Sequence, residues 1–98
     1  MEAIAVVDPL VLPERVALDN LVPTRAALLE RLPTGRLTID ATALEVVDTA
    51  GFQLLCALVA TARDRGLEPR WRGVRPHIAS AARRLGLCSH LGVDRAER

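Results

Sequence analysis

The feature that most constrains this chain is an amphipathic segment that runs from Asp48 to Gly66. Small and apolar residues recur in it at spacings of three and four: Gly51, Leu54, Leu55, Leu58, Val59 and Ala62. This spacing places them on one face of an α-helix and predicts that the face is buried. Arg63 and Arg65 complement the dipole at the C-terminal end, where glycine commonly follows the last turn. We therefore predict a helix that begins at Asp48 or Thr49 and ends at about Arg65.

Two other segments also have helical spacing. The first follows Pro23, with Thr24 as its predicted N-cap, and Pro33-Thr34-Gly35 predicts its end. Its apolar residues lie about one turn apart: Ala26, Leu28, Leu29 and Leu32. The second begins at Pro76, since proline suits a first helical turn, and is predicted to end at Gly86. Its apolar residues are Ile78, Ala81, Ala82 and Leu85.

Short strands are predicted between these helices. Leu37–Ile39 has Thr and Ile, which suit a sheet, and Glu68–Arg72 contains Pro69, which favours an edge position. Four other brief apolar runs are weaker strand candidates: Ala3–Val7, Leu10–Leu12, Arg15–Leu18 and Leu87–Val93. Strands that alternate with helices through short connections indicate an α/β layer structure. No linker or repeat interrupts it, so residues 1–98 are predicted to form one domain.

Composition limits how this domain can be stabilised and where it works. Half of its residues are hydrophobic, and the aromatic ones are only Phe52 and Trp71, so the predicted core is aliphatic. Cys56 and Cys88 follow no disulfide or zinc spacing, which indicates reduced thiols. No apolar segment follows a basic N-terminus, and no apolar run is long enough to span a bilayer. We expect a cytoplasmic protein that does not insert directly into a membrane.

The charge pattern and the polar residues favour neither catalysis nor nucleic-acid binding. The net charge is +1, whereas nucleic-acid binders usually have a strong basic excess. Arg70-Trp71-Arg72 resembles a base-stacking patch, but one aromatic residue between charges is more typical of a surface strand or a protein interface. Cys88, His90 and His77 are only weak candidates for metal ligands, because their spacing matches no recognised metal-binding motif. No catalytic triad, paired catalytic carboxylates or phosphate-binding loop is present, so we expect no enzyme activity, no cofactor and no metal.

Asp48 and Thr49 raise a question about function. An acidic residue followed by a hydroxyl residue before an apolar run is an ordinary helix N-cap. The same position has unpaired backbone N–H groups and a partial positive charge, so it can also hold a phosphate. The residues alone leave both interpretations open.

A family resemblance favours the second interpretation. A strand ending in Asp40, followed after a loop by Asp48-Thr49-Ala50-Gly51 at a helix start, resembles the motif of the STAS family of sulfate transporters and anti-sigma-factor antagonists. The similarity extends from Leu37 to about Gly92. It implies an α/β STAS fold: a small mixed β-sheet of four to five strands, with about four helices packed mainly on one face.

The resemblance also implies a function in bacterial signalling. In anti-sigma-factor antagonists, a partner serine kinase phosphorylates the hydroxyl residue of this motif, and the unmodified form binds the kinase and frees a sigma factor for transcription. Thr49 matches that acceptor, because the second hydroxyl position of many members is Ala50 here. The expected partner-binding residues are Asp48, Thr49, Ala50 and Gly51, with Asp19 and Asp40 on the same edge and Phe52 and Gln53 as further contacts.

Two alternatives follow from the same resemblance. The chain is also similar to the small STAS subunit of the Mla-type lipid-transport ABC system, whose Thr-bearing surface would dock on the transporter's ATPase subunit. The segment "DTAGFQLL" suggests instead a STAS protein of a chemotaxis signalling complex. One departure concerns the family's Gly-x-Leu-Asp segment, in which Val16 replaces the glycine. The oligomeric state is left open.

Overall fold

A computed structural model describes residues 9–93, and the predicted strand Ala3–Val7 lies outside them. The strands are Leu10–Val11 (β1), Arg15–Val16 (β2), Leu37–Asp40 (β3), Val46–Val47 (β4) and Pro69–Arg72 (β5). The α-helices are Leu21–Glu30 (α1), Thr49–Asp64 (α2), Pro76–Arg84 (α3) and Cys88–Leu91 (α4). A short 3-10 helix, Leu18–Asn20, leads directly into α1.

The strands form two small parallel sheets. One sheet has the order β1-β3-β5, and Ile39 of β3 lies opposite both Leu10 and Trp71. In the other sheet β2 pairs with β4, with Val16 opposite Val47. The predicted α/β fold with five strands and four α-helices is confirmed, as is the edge position of β5 within residues 9–93. The strands are divided between two sheets instead of one, and each described pairing is parallel where a mixed sheet was expected.

The predicted amphipathic helix is α2, and its buried stripe is confirmed. Seven of its residues are buried: Gly51, Phe52, Leu54, Leu55, Leu58, Val59 and Ala62. The helix ends where Gly66 takes a positive φ of 81°. There the N–H groups of Gly66 and Leu67 donate to the carbonyls of Arg63 and Ala62, at 2.9 Å each. This Schellman arrangement satisfies carbonyl groups that the last turn leaves unpaired.

Two local predictions are wrong. Helix α1 begins at Leu21, before Pro23, and its N-cap is Asn20, not Thr24. A proline fits this first turn because the N–H that it lacks would have no helical partner there. The predicted strand Leu87–Val93 contains the short helix α4 instead, which packs against α2 and ends at the left-handed Gly92.

Trp71 is part of the core and not of the surface. It is 2% exposed, and its indole Nε1–H donates a 2.7 Å hydrogen bond to the backbone carbonyl of Leu91. A buried indole commonly has such a partner for its polar edge. The predicted surface position of Trp71 is therefore wrong, and the buried ring has no exposed face on which a base could stack. The rest of the core is aliphatic apart from Phe52, as expected.

Candidate functional site

Asp48 joins the start of α2 to the 3-10 helix. Its backbone is extended, and its Oδ1 accepts a 2.7 Å hydrogen bond from the Gly51 N–H. Its Oδ2 accepts a second bond, of 3.0 Å, from the N–H of Leu18. The predicted N-cap is thus confirmed, and the same carboxylate also connects two segments that are 30 residues apart.

The acidic residues at this end of the molecule are held ionised. Hydrogen bonds from the N–H groups of Leu18 and Gly51 keep the pKa of Asp48 below its ordinary value. Asp19 forms a bidentate pair with Arg15, at 3.1 Å and 2.9 Å, and this bond lowers the pKa of Asp19. Asp48 is close enough to influence the pKa values of both Asp19 and Arg15. The structure therefore places Asp19 and Asp48 at the same end of the molecule.

Thr49 is the first residue of α2, and its side chain is exposed. Gln53, one turn further along, is exposed as well, and Ala50 between them is half-buried. A partner can therefore reach Thr49, Ala50 and Gln53 on the outer side of the first turn.

Gly51 faces inward instead. An added Cβ would collide with the carbonyl oxygen of Val16 and would lie 2.8 Å from its carbonyl carbon and 3.1 Å from Cγ1 of Val47. Gly51 therefore allows β2 to lie against the first turn of α2. The space beside Gly51 is filled by β2 of the same domain. Val16, which replaces the glycine of the family segment, is completely buried on that strand.

Phe52 is 3% exposed and belongs to the core. Phe52 was expected as a further partner contact on a partly exposed first turn, and its side chain is instead almost wholly buried. Phe52 lies on the same inward side of α2 as the buried residues Gly51 and Leu55. Burial of its apolar ring there is favourable because it removes the ring from water.

Asp40 lies in a different environment from Asp48. It accepts a hydrogen bond of 2.9 Å from the Thr42 N–H, and Arg72 of β5 donates to it at 3.0 Å. Bonds from Thr42, through its side chain and backbone, and then from Arg72 lower the pKa of Asp40 to about 2. These partners belong to the β3–β5 part of the sheet and the loop after it, so Asp40 stabilises that region and has partners different from those of Asp48.

The weak metal-ligand candidates are dispersed. His77 Nε2 lies 2.7 Å from the carbonyl oxygen of Glu45, whereas Cys88 and His90 belong to α4. Between residues 9 and 93, no three His, Cys, Asp or Glu side chains are grouped so that they could hold a metal ion. Burial raises the pKa of the Cys56 thiol, which disfavours its reactive thiolate form.

A cleft that the sequence did not predict lies beside Thr49. It has a volume of about 330 Å³ and separates the start of α2 from the end of α3. Its walls are formed by Val47, Asp48, Thr49, Phe52, Ala81, Arg84 and Leu85. From its helical spacing, Leu85 was predicted to lie on the same face of α3 as Ile78, Ala81 and Ala82. In the structure it follows the last helical residue and is 50% exposed. No sequence pattern could have shown that α3 ends beside Thr49.

Exposed apolar side chains lie on segments that adjoin the start of α2 or line the cleft. Leu18 is 70% exposed beside Asp48, and Val46 is 43% exposed on the strand that leads into α2. Leu85 lines the cleft itself and is 50% exposed. Grouped apolar residues on a surface commonly mark a site of protein interaction. We call Leu18, Val46, Thr49, Gln53 and Leu85 the α2 surface.

Comparison with known proteins places the chain in a family. The family model described as "Mlab, STAS domain" matches residues 6–92, which is most of the chain. The chain belongs to the STAS domain family. STAS domains generally mediate contacts between proteins and are generally not catalysts, which agrees with the exposed α2 surface.

A solved structure supports the fold of this STAS domain. It is the crystal structure of a sulfate transporter family protein from Wolinella succinogenes, with a TM-score of 0.73 and 17% sequence identity. The match covers 91% of this chain and 74% of the other, and at this identity it supports the fold alone. No curated protein sequence matches the chain. Among residues 9–93, no helix combines the length and the apolar character needed to cross a membrane.

Proposed function

We propose that this STAS domain is a cytoplasmic regulatory protein that binds a partner protein through the α2 surface. Phosphorylation of Thr49 by a partner serine kinase releases the partner, as in anti-sigma-factor antagonists. The observation that supports the proposal is the position of Thr49: it is exposed on the first turn of α2 and lines a cleft whose opposite wall includes the half-exposed Leu85. The domain is the substrate of the kinase and performs no chemistry of its own.

The modification is compatible with the fold. The kinase transfers the γ-phosphoryl group of ATP to Oγ1 of Thr49, the bond to ADP breaks, and a base of the kinase takes the hydroxyl proton. The first turn of a helix tolerates the added charge, because its N–H groups and its dipole favour anions. The phosphate adds close to two negative charges beside Asp48, whose carboxylate is already ionised. An apolar partner surface that packs on neutral Thr49 would then have to remove water from a dianion, which is unfavourable, so the partner would dissociate.

Thr49→Glu tests this proposal, and Thr49→Val is its matched control. Glutamate introduces charge at the site, whereas valine keeps the shape of threonine and removes only the hydroxyl. We expect both variants to fold like the wild type in circular dichroism, since the side chain is exposed. In affinity purification from the native host, valine should retain the partner and glutamate should lose it. Equal recovery by the two variants would contradict the switch.

One observation favours a second candidate function. The matching family model carries the description "Mlab, STAS domain", which corresponds to the small STAS subunit of a lipid-transport ABC system. In that role the α2 surface docks on the ATPase subunit of the transporter, and phosphorylation of Thr49 is not needed. The same purification separates the two functions: recovery of an ATPase with transporter subunits supports the second, and recovery of a serine kinase without transporter subunits supports the first.

A further inference from the structure

Arg84 supplies a cation to the cleft beside Thr49. It is the last residue of α3, it is exposed, and it lines the cleft together with Thr49, Phe52 and Leu85. Its side chain donates a 3.3 Å hydrogen bond to the hydroxyl of Ser80, which is neutral. Within residues 9–93 no acidic side chain forms an ion pair with it, although Arg15, Arg63, Arg72 and Arg75 all have one.

The end of α3 does not need this side chain as a cap. Gly86 has a positive φ of 71°, and its N–H donates to the Arg83 carbonyl at 3.0 Å. The Leu87 N–H donates to the Ala82 carbonyl at 2.9 Å, so the backbone closes the helix by itself. The guanidinium of Arg84 is therefore available to a molecule in the cleft.

The other charge in the cleft is already engaged. Asp48 accepts hydrogen bonds from the N–H groups of Gly51 and Leu18, and both of its oxygens are used. Each carboxylate oxygen of Asp48 already accepts one of these bonds, whereas the guanidinium of Arg84 has, in the part of the chain that the structure describes, only the neutral Ser80 hydroxyl as a partner. An acidic group therefore meets the less engaged of the two charges. Apolar area from Val47, Phe52, Ala81 and Leu85 forms the rest of the walls.

We infer that the cleft receives a segment of a partner protein in which a carboxylate side chain lies next to an apolar side chain. The carboxylate pairs with the guanidinium of Arg84, whose planar donors match its two oxygens, and the apolar side chain covers Leu85. This inference rests on the proposed function and adds the chemistry of the partner. It also explains how phosphorylation acts on binding, because a phosphate on Thr49 would compete with the partner's carboxylate for Arg84.

Selection from a phage-displayed library of random dodecapeptides tests the inference. The full chain is immobilised as wild type, as Arg84→Gln and as Arg83→Gln. Arg83 is the matched control, since it is also exposed in the last turn of α3 but does not line the cleft. Wild type and Arg83→Gln should enrich peptides that place Asp or Glu beside Leu, Ile or Phe. The best synthetic peptide should bind Arg84→Gln about tenfold or more weakly in fluorescence anisotropy, because a charge-assisted bond is lost.

Three results would overturn the inference: enrichment of peptides without an acidic residue, equal affinity for the Arg83→Gln and Arg84→Gln variants, or no enrichment on the wild type. Thr49→Glu, measured with the same peptide, separates this inference from the switch. Weaker binding to Arg84→Gln but unchanged binding to Thr49→Glu supports the acidic segment and contradicts the switch. The reverse pattern contradicts the acidic segment and retains the switch.

Discussion

Replacing Gly51 with alanine should destabilise the domain, although alanine is the better helix former. The new Cβ would collide with the Val16 carbonyl oxygen and lie 2.8 Å from the carbonyl carbon, well inside van der Waals contact. Both of these atoms belong to the backbone of β2, which is itself paired with β4. A rotamer change cannot relieve the overlap, so either β2 or the first turn of α2 must move.

The size of the effect follows from two opposing contributions. Overpacking of a core costs about 1–3 kcal/mol, and the upper value applies where backbone must shift. Helix propensity returns about 1 kcal/mol when glycine becomes alanine. The net loss in the free energy of unfolding is therefore about 2 kcal/mol, which lowers the melting temperature of a domain of this size by about 8–16 °C.

Thermal unfolding followed by circular dichroism measures this loss. Gly35→Ala is the matched control, because an added Cβ there meets no atom within 4 Å and the residue lies outside the helices. That variant should be as stable as the wild type or slightly more stable, by about 0.5 kcal/mol. If Gly51→Ala melted at the same temperature as Gly35→Ala, the close approach of β2 to α2 would be refuted.

The remaining predictions concern the core, the sheet end and the cleft. Trp71→Phe should lower the free energy of unfolding, measured by urea denaturation, by about 1–3 kcal/mol, because the Leu91 carbonyl loses its buried hydrogen-bond donor. A loss no larger than that of a substitution at an exposed position would argue against this hydrogen bond. The low pKa of Asp40, about 2 against an ordinary 3.8, means that its contribution is complete above pH 4 and is lost as the pH falls toward 2. Asp40→Asn should therefore lower stability at neutral pH and flatten the acid-induced loss, and parallel pH profiles for variant and wild type would contradict the lowered pKa that the bonds from Thr42 and Arg72 produce. Leu85→Ser should leave the melting temperature unchanged, since half of the side chain is exposed, yet weaken partner recovery in affinity purification; full recovery would exclude Leu85 from the docking surface.

Much of the candidate site could be predicted because its signals are local. The N-cap at Asp48 depends on residues three positions apart, and the exposure of Thr49 and Gln53 follows from the phase of one amphipathic helix. The inward position of Phe52 could not be predicted with the same certainty, because the first turn of a helix is covered or open according to what packs against it. In this domain β2 covers it, next to Gly51.

Other parts of the molecule depend on contacts between distant segments. Trp71 lies between two arginines, which suggests a surface strand, but β5 pairs with β3 and the inward-facing positions of the strand are buried. The segment Leu87–Val93 has an apolar composition that suits a strand or a helix. It forms α4 against α2, because a helical turn directs Leu91 into the core and presents its carbonyl to Trp71.

The sequence by itself determined where α2 starts and stops, that Asp48 caps it, and that Thr49 stands on its first turn. These features depend on spacings of three or four residues, which can be read from the sequence without knowledge of the tertiary structure. Only the tertiary structure decided that Leu18 binds Asp48 from 30 residues away and that Arg84 and Leu85 form the opposite wall of a cleft. The physical reason is that such neighbours are set by how helices and sheets pack, and local periodicity contains no information about which ends of two elements meet.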